Sequence, residues 1–282
     1  KRECKVMEYD YIEQGDCLEL MKGILNNSID LTVTSPPYDN LRSYNGNISQ
    51  WSFEKFQDIA KQLYRVTKDG GVVVWVVNDA TIKGSETGTS FKQALYFKEI
   101  GFNIHDTMIY DKGNCPFPDK TRYYQVFEYM FIFTKGKIKT FNPICDRKNR
   151  CGGEKIQSTT SRQQDGSLKK TSAELNNTGR IIKEYGFRFN IWSISPGKNK
   201  STQDTYAFEH PAIFPEQLAQ DHILSWSNPG DIVLDPFLGS GTTAKMAVLN
   251  NRHYIGFELD PQYYDIACKR LDEVEEVANG LI

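Results

Sequence analysis

Residues 231–258 read DIVLDPFLGSGTTAKMAVLNNRHYIGFE, and this stretch decides the fold class. The apolar run at 231–235 predicts a buried strand, and a turn with Gly239 and Gly241 joins it to a helix that begins at about residue 242. A second apolar run at 253–258 predicts the next strand. Strand, helix and strand in this order form a βαβ unit, which indicates an α/β fold with a parallel sheet.

The Gly-rich turn predicts a binding site for a nucleoside cofactor. Glycines between a strand and a helix let backbone approach a ligand at the helix N-terminus, and Glu258 at the end of the next strand can accept ribose hydroxyls. The third glycine of the dinucleotide fingerprint is missing, because Thr242 and Thr243 follow Gly241. Asp235 before the turn suits a ligand with an ammonium group better than a pyrophosphate. The site therefore favours S-adenosylmethionine over NAD.

A second βαβ unit is predicted near the N-terminus. Apolar, β-branched runs at 29–35 (IDLTVTS) and 71–77 (GVVVWVV) predict buried strands, and the segment between them has helical periodicity up to Asp69-Gly70-Gly71. The predicted buried face of that helix consists of Phe53, Phe56, Ile59, Ala60, Leu63 and Val66. Further predicted elements are a strand at 126–136 and amphipathic helices at 210–227 and 260–277.

The segment TSPPYDN (34–40) follows the first of these N-terminal strands. It is expected at the carboxyl edge of the sheet, where open α/β folds bind ligands. Pro36 and Pro37 have fixed φ angles and no N–H donor, so their carbonyls are rigid acceptors. With Ser35 before them and the ring of Tyr38 after them, they predict a pocket for a planar heterocycle that carries an amino group.

The charge of the chain is divided unevenly. Residues 135–205 hold 15 Lys and Arg against 6 Asp and Glu, a net charge of +9, whereas the rest of the chain carries −11. This segment is rich in polar residues and has little periodic apolarity, which predicts an insertion made of loops. A basic block beside an acidic body indicates a polyanionic partner.

Cysteine spacing and hydropathy limit the class of protein. The cysteines are Cys4, Cys17, Cys115, Cys145, Cys151 and Cys268, with no CxxC pair. They predict reduced thiols and neither a zinc site nor a disulfide scaffold. No apolar run reaches the ~18 to 20 residues that cross a bilayer, and the start KRECKVMEYD lacks the apolar core of a signal peptide. The expectation is a soluble, cytoplasmic protein without a metal.

These motifs resemble those of the amino-group DNA methyltransferases of bacteria and phages. DPFLGSGTT (235–243) resembles their cofactor motif I, FELD (257–260) motif II, and TSPPY (34–38) catalytic motif IV. Motif IV precedes motif I with a basic segment between them, an order similar to that of the circularly permuted β group. The resemblance covers nearly the whole chain apart from 137–205.

The resemblance implies a Rossmann-like, S-adenosylmethionine-dependent methyltransferase fold with a circularly permuted, mixed seven-stranded sheet. Residues 1–136 are then the catalytic half, 137–205 an inserted target recognition region, and 206–282 the cofactor-binding half. The implied partner is double-stranded DNA. A homodimer and a cognate restriction enzyme are compatible with the family, and the sequence decides neither.

The resemblance also implies the roles of individual residues. HPAIFPEQL (210–218) resembles motif X at the methionine end of the cofactor, Gly15-Asp16-Cys17 sits where the group has an acidic residue near the adenine, and RYYQVFEYMFIFTKG resembles motif VIII, which offers Arg122 and Tyr124. The implied cofactor contacts are Asp235, Pro236, Phe237, Gly239, Ser240, Gly241, Thr242, Glu258, Asp16, Pro211 and Phe214. The implied DNA contacts are Arg147, Lys148, Arg150, Lys169 and Lys170.

In the implied mechanism, the Ser35 side chain and the Pro36 carbonyl accept the two amino hydrogens and direct the nitrogen lone pair toward the sulfonium methyl. Pro37 and Tyr38 complete the catalytic set, and Tyr38 stacks on a base that is flipped out, because a paired base cannot present this amine. Serine before the prolines favours N4 of cytosine. N6 of adenine is the alternative, since family members with Asp or Asn at that position mostly resemble adenine enzymes.

Other functions fit the residues less well. Methylation at cytosine C5 needs a cysteine nucleophile after a proline, and none of the six cysteines follows a proline. Protein glutamine methyltransferases have a similar loop but the unpermuted order and usually Asn before the prolines. Intact Asp235, Ser35 and Tyr38 disfavour a catalytically inactive DNA-binding protein. The missing third glycine disfavours a nicotinamide oxidoreductase.

Overall fold

The computed structural model describes residues 7–38, 51–114, 120–157, 160–170 and 179–278. The chain divides into two compact units, a first unit of Lys1–Asn142 with Asn190–Ile282 and a second unit of Pro143–Phe189. The second unit is narrower than the insertion predicted at 137–205, because both ends of that segment belong to the first unit. Asp39 and Asn40 of the TSPPYDN motif lie outside the described residues.

The described residues of the two units contain both strands and helices. The strands are β1 (Tyr11–Gln14), β2 (Ile29–Thr34), β3 (Thr67–Val77), β4 (Thr81–Ile82), β5 (Ser85–Glu86), β6 (Asn103–Asp111), β7 (Phe127–Thr134), β8 (Arg147–Lys148), β9 (Thr160–Arg162), β10 (Leu168–Lys170), β11 (Tyr185–Gly186), β12 (Ile191–Ser193), β13 (Ile232–Asp235) and β14 (His253–Glu258). The helices are α1 (Cys17–Met21), α2 (Phe53–Val66), α3 (Thr89–Glu99), α4 (Glu216–Trp226), α5 (Thr242–Leu249) and α6 (Pro261–Ala278), with a 3₁₀ helix at Thr205–Glu209.

The main sheet of the first unit has eight strands in the order β1-β14-β13-β2-β3-β7-β6-β12. All neighbouring pairs are parallel except those that β7 makes with β3 and β6, so the sheet is mixed with one antiparallel strand. The predicted α/β fold is confirmed. The predicted count of seven strands is wrong, because β12 lies within the segment predicted to be loops and pairs with β6 at the sheet edge.

Both faces of the sheet are covered by helices. Successive residues of β3 alternate between two cores, with Val74 packed in one and Val73 and Trp75 in the other. Helices α4, α5 and α6 contribute to the first core, and α1, α2 and α3 to the second. A sheet buried on both faces explains why its central strands are continuous apolar runs.

Helix α2 follows its sequence pattern closely. Its N-cap, Ser52, accepts a hydrogen bond from the Lys55 N–H through its side chain at 3.1 Å, which satisfies one donor of the first turn. The predicted buried face is confirmed, except that Phe53 is only half-buried. The buried residues are Phe56, Ile59, Ala60, Leu63 and Val66.

The helix predicted at 210–227 is too long at its N-terminus. Helix α4 begins at Glu216, and Pro215 precedes it with an extended ψ of 132°. Proline disfavours helical backbone at the residue before it, so Pro211 and Pro215 keep this stretch out of the helix. The side chain of His210 instead accepts a hydrogen bond from the Ala212 N–H at 3.1 Å, which shapes a turn.

The second unit is built from short antiparallel pairs, β8 with β11 and β9 with β10. Residues 143–189 carry 10 basic against 5 acidic side chains. Cys145 and Cys151 in this unit and Cys17 and Cys268 in the first are free thiols, and the other two cysteines lie outside the described residues.

The part of the chain that the structure describes has neither a metal site nor a membrane-spanning helix. No group of three or more His, Cys, Asp or Glu side chains there is arranged to hold a metal ion. No helix in the same ranges is long and apolar enough to span a membrane.

Candidate active site

A cavity of about 1010 Å³ opens at one edge of the main sheet. The parallel strands all end at this edge, where ligands bind in open α/β folds. Residues at or just past the ends of six parallel strands line it, namely Gly15, Ser35, Asn78, Lys112, Pro236 and Glu258. The Ser-Pro-Pro-Tyr loop after β2 and the Gly-rich turn after β13 therefore share one cavity.

The Gly-rich turn needs its glycines for two different reasons. Gly239 and Gly241 have φ angles of +55° and +83°, in the left-handed region that side chains disfavour. A side chain at position 241 would place its Cβ only 3.0 Å from Cβ of Ala267, so glycine here lets the turn pack on α6. The Gly239 N–H donates to Oε2 of Glu258 at 2.7 Å, so the acidic strand end also holds the turn.

Asp235 lies at the junction between the Gly-rich turn and the Ser-Pro-Pro-Tyr loop. Its Oδ1 accepts hydrogen bonds from the Thr34 hydroxyl at 2.6 Å and from the Phe237 N–H at 3.0 Å. Thr34 directly precedes Ser35, so this carboxylate ties the two loops together. The side chain is buried, and burial raises the pKa of Asp235 to about 6, against the hydrogen bonds from the hydroxyls of Thr34 and Thr243.

A buried arginine supports the turn from behind. Arg270 on α6 is 0% exposed and donates to the Ser240 carbonyl at 2.7 Å. It also pairs with Asp204 and Glu216, each at 2.7 Å, and Lys245 of α5 bonds to the same two carboxylates. This charge cluster joins α4, α5 and α6 to the segment before the 3₁₀ helix.

The Ser-Pro-Pro-Tyr loop carries a chain of polar contacts. The Ser35 Oγ and the Tyr38 hydroxyl are 2.8 Å apart, and the Tyr38 hydroxyl donates to Oε2 of Glu128 at 3.0 Å. The Lys112 ammonium donates to the other oxygen of Glu128 at 3.0 Å. Glu128 comes from β7 and Lys112 follows β6, so three parts of the sheet edge meet at this loop.

Two aromatic rings and a carboxylate also line the cavity. The Trp51 and Phe237 rings meet edge to face with centroids 5.5 Å apart, and both line the cavity. Asp16 also lines it, accepting a hydrogen bond from the Leu18 N–H at 2.9 Å and from Lys55 at 2.7 Å. Aromatic faces beside a carboxylate suit a nucleoside with its purine amine.

Most of the predicted cofactor contacts are brought together. Every one lines the cavity except Gly241, which packs against α6 instead. Pro36 is buried and does not line it, whereas Ser35, Pro37 and Tyr38 do. The predicted DNA contacts lie in the second unit, where Lys148, Arg150, Lys169 and Lys170 are exposed and Arg147 is half-buried.

Arg122 and Tyr124 do not line this cavity. The Arg122 guanidinium bonds to the Gly84 carbonyl and pairs with Glu86 at 3.6 Å, and Tyr124 is 58% exposed. The motif VIII segment that suggested them contributes Glu128 instead.

Sequence reasoning missed several other residues of the site. Lys112, Asn78, Lys55 and Trp51 all line the cavity. Lys112 and Asn78 follow directly on β6 and β3, and position after a strand of a parallel sheet is the signal that could have found them.

The cavity fits S-adenosylmethionine. Binding sites for small molecules span roughly 300–1,000 Å³, so this cavity is at the large end of that range and is big enough for the cofactor. Asp235 and Glu258 give carboxylates for an ammonium and for ribose hydroxyls, and the glycine turn gives a close backbone approach. The residues that would hold the group are therefore present.

Comparison with known proteins agrees with this geometry. A protein-family model described as DNA methylase matches residues 29–269. The chain is 63% identical over 258 residues to the orphan methyltransferase M.BamHII of Bacillus amyloliquefaciens. The aligned region covers 91% of this chain and 90% of that protein.

Two solved structures share the fold. One is the cytosine-N4-specific PvuII DNA methyltransferase, with a TM-score of 0.65 and 20% identity over 97% of this chain and 93% of that one. The other is TTHA0409, a putative DNA modification methylase from Thermus thermophilus complexed with S-adenosyl-L-methionine, with a TM-score of 0.60 and 23% identity over 93% of this chain and 95% of that one.

Proposed function

Because this chain belongs to the DNA methylase family, whose members transfer a methyl group from S-adenosyl-L-methionine to an exocyclic amino group in double-stranded DNA, we propose that its target atom is N4 of cytosine. The observation that carries this proposal is Ser35, a neutral hydroxyl residue before the two prolines, in the same cavity as the Gly-rich turn. By resemblance, serine at this position goes with cytosine enzymes and Asp or Asn with adenine enzymes.

The cofactor supplies, when bound, a methyl group on a positively charged sulfonium. Asp235 holds its ammonium group, and Glu258 accepts hydrogen bonds from its ribose hydroxyls while also holding the Gly239 N–H. Trp51 and Phe237 give the apolar contact for its purine ring. These residues orient the ligand, and orientation alone supplies a large share of the rate.

Ser35 and Pro36 act on the amine of the target base. The lone pair of an exocyclic amine is conjugated with the ring, so the nitrogen is a poor nucleophile. In this proposal the two N–H groups of the amine donate hydrogen bonds to the Ser35 Oγ and the Pro36 carbonyl. These hydrogen bonds localise the nitrogen lone pair and direct it toward the methyl group. Pro36 is buried, and in this proposal its backbone carbonyl oxygen is the atom that contacts the base.

Tyr38 stacks on a base that has left the duplex. A cavity at a sheet edge is too narrow for a double helix, so the target nucleotide has to be extruded into it. The Tyr38 hydroxyl is held at both sides by Ser35 and Glu128, which fixes the ring as a wall of the pocket.

The second unit reads the DNA sequence in this proposal. Its candidate contacts are Arg147, Lys148, Arg150, Lys169 and Lys170. Arg147 differs from the others, because its Nε bonds to the Phe187 carbonyl at 2.9 Å and its guanidinium stacks over Phe189. We assign the phosphate contacts to the exposed side chains and a supporting role to Arg147.

The relative M.BamHII is named an orphan methyltransferase. By similarity, that name favours the proposal that the present chain also acts without a cognate restriction enzyme. The homodimer compatible with the family stays a prediction.

Sequencing of DNA from cells tests the target base. The chain is expressed in a host that lacks its own DNA methylation, and single-molecule sequencing then detects modified bases in the native DNA. We expect modified cytosine within one short recurring sequence. Modified adenine in such a sequence contradicts the cytosine proposal and supports the N6 alternative. A Ser35→Ala variant expressed to the same level is the control, and its DNA should carry far less modification.

A further inference from the structure

In the mechanism proposed above, Glu128 only helps to hold the ring of Tyr38, although it also lies against the Ser-Pro-Pro-Tyr loop. Its side chain is 16% exposed, and its two oxygens accept hydrogen bonds from the Tyr38 hydroxyl and the Lys112 ammonium, both at 3.0 Å. We propose that Glu128 is a positioning residue for methyl transfer, which acts through Tyr38 to hold the Ser35 Oγ as a hydrogen-bond acceptor for the target amine. This inference rests on the acceptor role that the proposed function gives to Ser35.

The direction of the hydrogen bonds follows from counting protons. An ionised carboxylate can only accept, and a hydroxyl has a single proton to donate. Tyr38 gives its proton to Glu128, so the contact of 2.8 Å between Tyr38 and Ser35 has Ser35 as the donor. The Ser35 proton then points away from the base, and the lone pairs of its oxygen are left to accept the amine.

Without the carboxylate, this direction is not defined. Tyr38 can then donate to Ser35, and the Ser35 proton is free to turn toward the amine. The Ser35 O–H and an N–H of the amine are then two donors that face each other and form no hydrogen bond. A serine, unlike Asp, can donate as well as accept, so a cytosine-type loop needs something outside it to select the acceptor form. Lys112 supplies the charge that balances the carboxylate in this partly buried place.

The other polar groups around Glu128 do not replace it. Tyr110 is its cross-strand partner on β6, and the Tyr110 hydroxyl has no hydrogen-bond partner among the described residues. Asp111 points to other groups, accepting from the Ser193 hydroxyl at 2.9 Å and from the Gly113 N–H at 2.8 Å. Among the described residues, Glu128 is therefore the carboxylate that contacts the Ser35 and Tyr38 pair.

The test uses two variants that break the chain at different points. Glu128→Met keeps the length of the side chain and removes its acceptor, and Tyr38→Phe keeps the stacking ring and removes the hydroxyl. We expect each to lower the single-turnover rate of DNA methylation roughly tenfold, the effect of about one lost orienting hydrogen bond. Affinities for S-adenosylmethionine and for DNA should stay within about twofold, since neither group binds a substrate in this scheme.

A double variant separates this role from general damage. If both residues act through one chain, Glu128→Met in the Tyr38→Phe background should cause no further loss. Asp106→Asn is the matched control, because it removes a half-buried carboxylate on β6 whose side chain bonds to Asn190 rather than to the loop.

The outcomes are distinguishable. An unchanged rate in Glu128→Met, or additive losses in the double variant, overturns the inference. If Ser35→Ala also leaves the rate unchanged, the acceptor role in the proposed function fails as well. A loss in Ser35→Ala with no loss in Glu128→Met contradicts the inference alone.

Discussion

Asp235, the proposed partner of the cofactor ammonium group, has a pKa that burial shifts toward neutrality. Burial raises the pKa of this carboxyl group to about 6, above the ~3.9 of an unfolded chain. In the ligand-free protein, the folded state therefore binds the proton more tightly between these two values. This group makes the folded state less stable as the pH rises through that window, because it then buries a charge.

Cofactor affinity should have the opposite dependence on pH. The ammonium group of S-adenosylmethionine needs an ionised partner, so we expect its affinity to be full above pH ~6 and to fall by up to about tenfold per unit below it. Calorimetry over pH ~5 to ~8 measures this directly. Asp235→Asn keeps an acceptor for Thr34 and loses the charge, which should weaken binding by roughly 2–5 kcal/mol and strongly reduce the pH step. Burial also raises the pKa of Glu258 in the same cavity, so the result that contradicts the assignment is a step of undiminished size in Asp235→Asn.

Tyr110 and Tyr254 form a natural pair for comparing buried hydroxyls. Both are at least nine-tenths buried, and only the Tyr254 hydroxyl has a partner among the described residues, Oε1 of Glu275 at 2.8 Å. An unpaired buried hydroxyl costs about 1–3 kcal/mol. Tyr110→Phe should therefore leave the free energy of unfolding unchanged or raise it, whereas Tyr254→Phe should lower it by about 1 kcal/mol. Urea denaturation of the two variants measures both, and equal losses are inconsistent with this difference.

Helix α6 is linked to the Gly-rich turn by the buried guanidinium of Arg270. Removing one member of a buried ion cluster leaves the others uncompensated, at a cost of about 3–5 kcal/mol. We expect Arg270→Met to lower the free energy of unfolding by that amount, because Lys245 is then the one cation left to pair with Asp204 and Glu216 among the described residues. The neighbouring Lys269 is exposed and lies 3.9 Å over the ring of Tyr206. Lys269→Met should cost less than about 1 kcal/mol, and similar losses in both variants contradict the role of the cluster.

The elements that could be predicted from sequence are those with a strong apolar period. Strands β2, β3, β13 and β14 are buried on both faces, so each is a short apolar run in the sequence. Strand β6 was missed because His105, Asp106 and Thr107 interrupt its apolar positions. It is held mainly by pairing with β7 and β12, which a single sequence does not reveal.

The same difference applies to the candidate site, because some of its residues lie in contiguous sequence motifs and others are brought together only by the fold. Contiguous motifs located the Gly-rich turn and the Ser-Pro-Pro-Tyr loop, because each has its chemistry within a few residues. Glu128 is the single acidic residue of the otherwise largely apolar β7, and nothing in the sequence around it indicates a contact with the Ser-Pro-Pro-Tyr loop. Only the order of the strands brings it and Lys112 to Tyr38, and that order is a property of the folded chain.

For the molecule as a whole, the uneven charge predicts how it meets DNA. Lys148 and Arg150 are exposed in the second unit, so neutralising both to Gln should weaken DNA binding and make the slope of log affinity against log salt shallower by about 2. Cofactor affinity should not change. The control is Lys61→Gln with Lys98→Gln, two exposed lysines of the first unit. An unchanged salt slope in the Lys148 and Arg150 variant means that the basic segment is only solvated.

Transfer of the methyl group to a base amine is the central claim, and nucleoside mass spectrometry tests it most directly. The purified chain is incubated with double-stranded DNA and S-adenosylmethionine that carries a deuterated methyl group, and the DNA is then digested to nucleosides. We predict that the label appears as N4-methylcytidine in its deoxy form and is strongly reduced in Ser35→Ala. Label found only as N6-methyladenine contradicts the choice of base, and label at C5 of cytosine or no label in DNA contradicts amino-group transfer in this cavity.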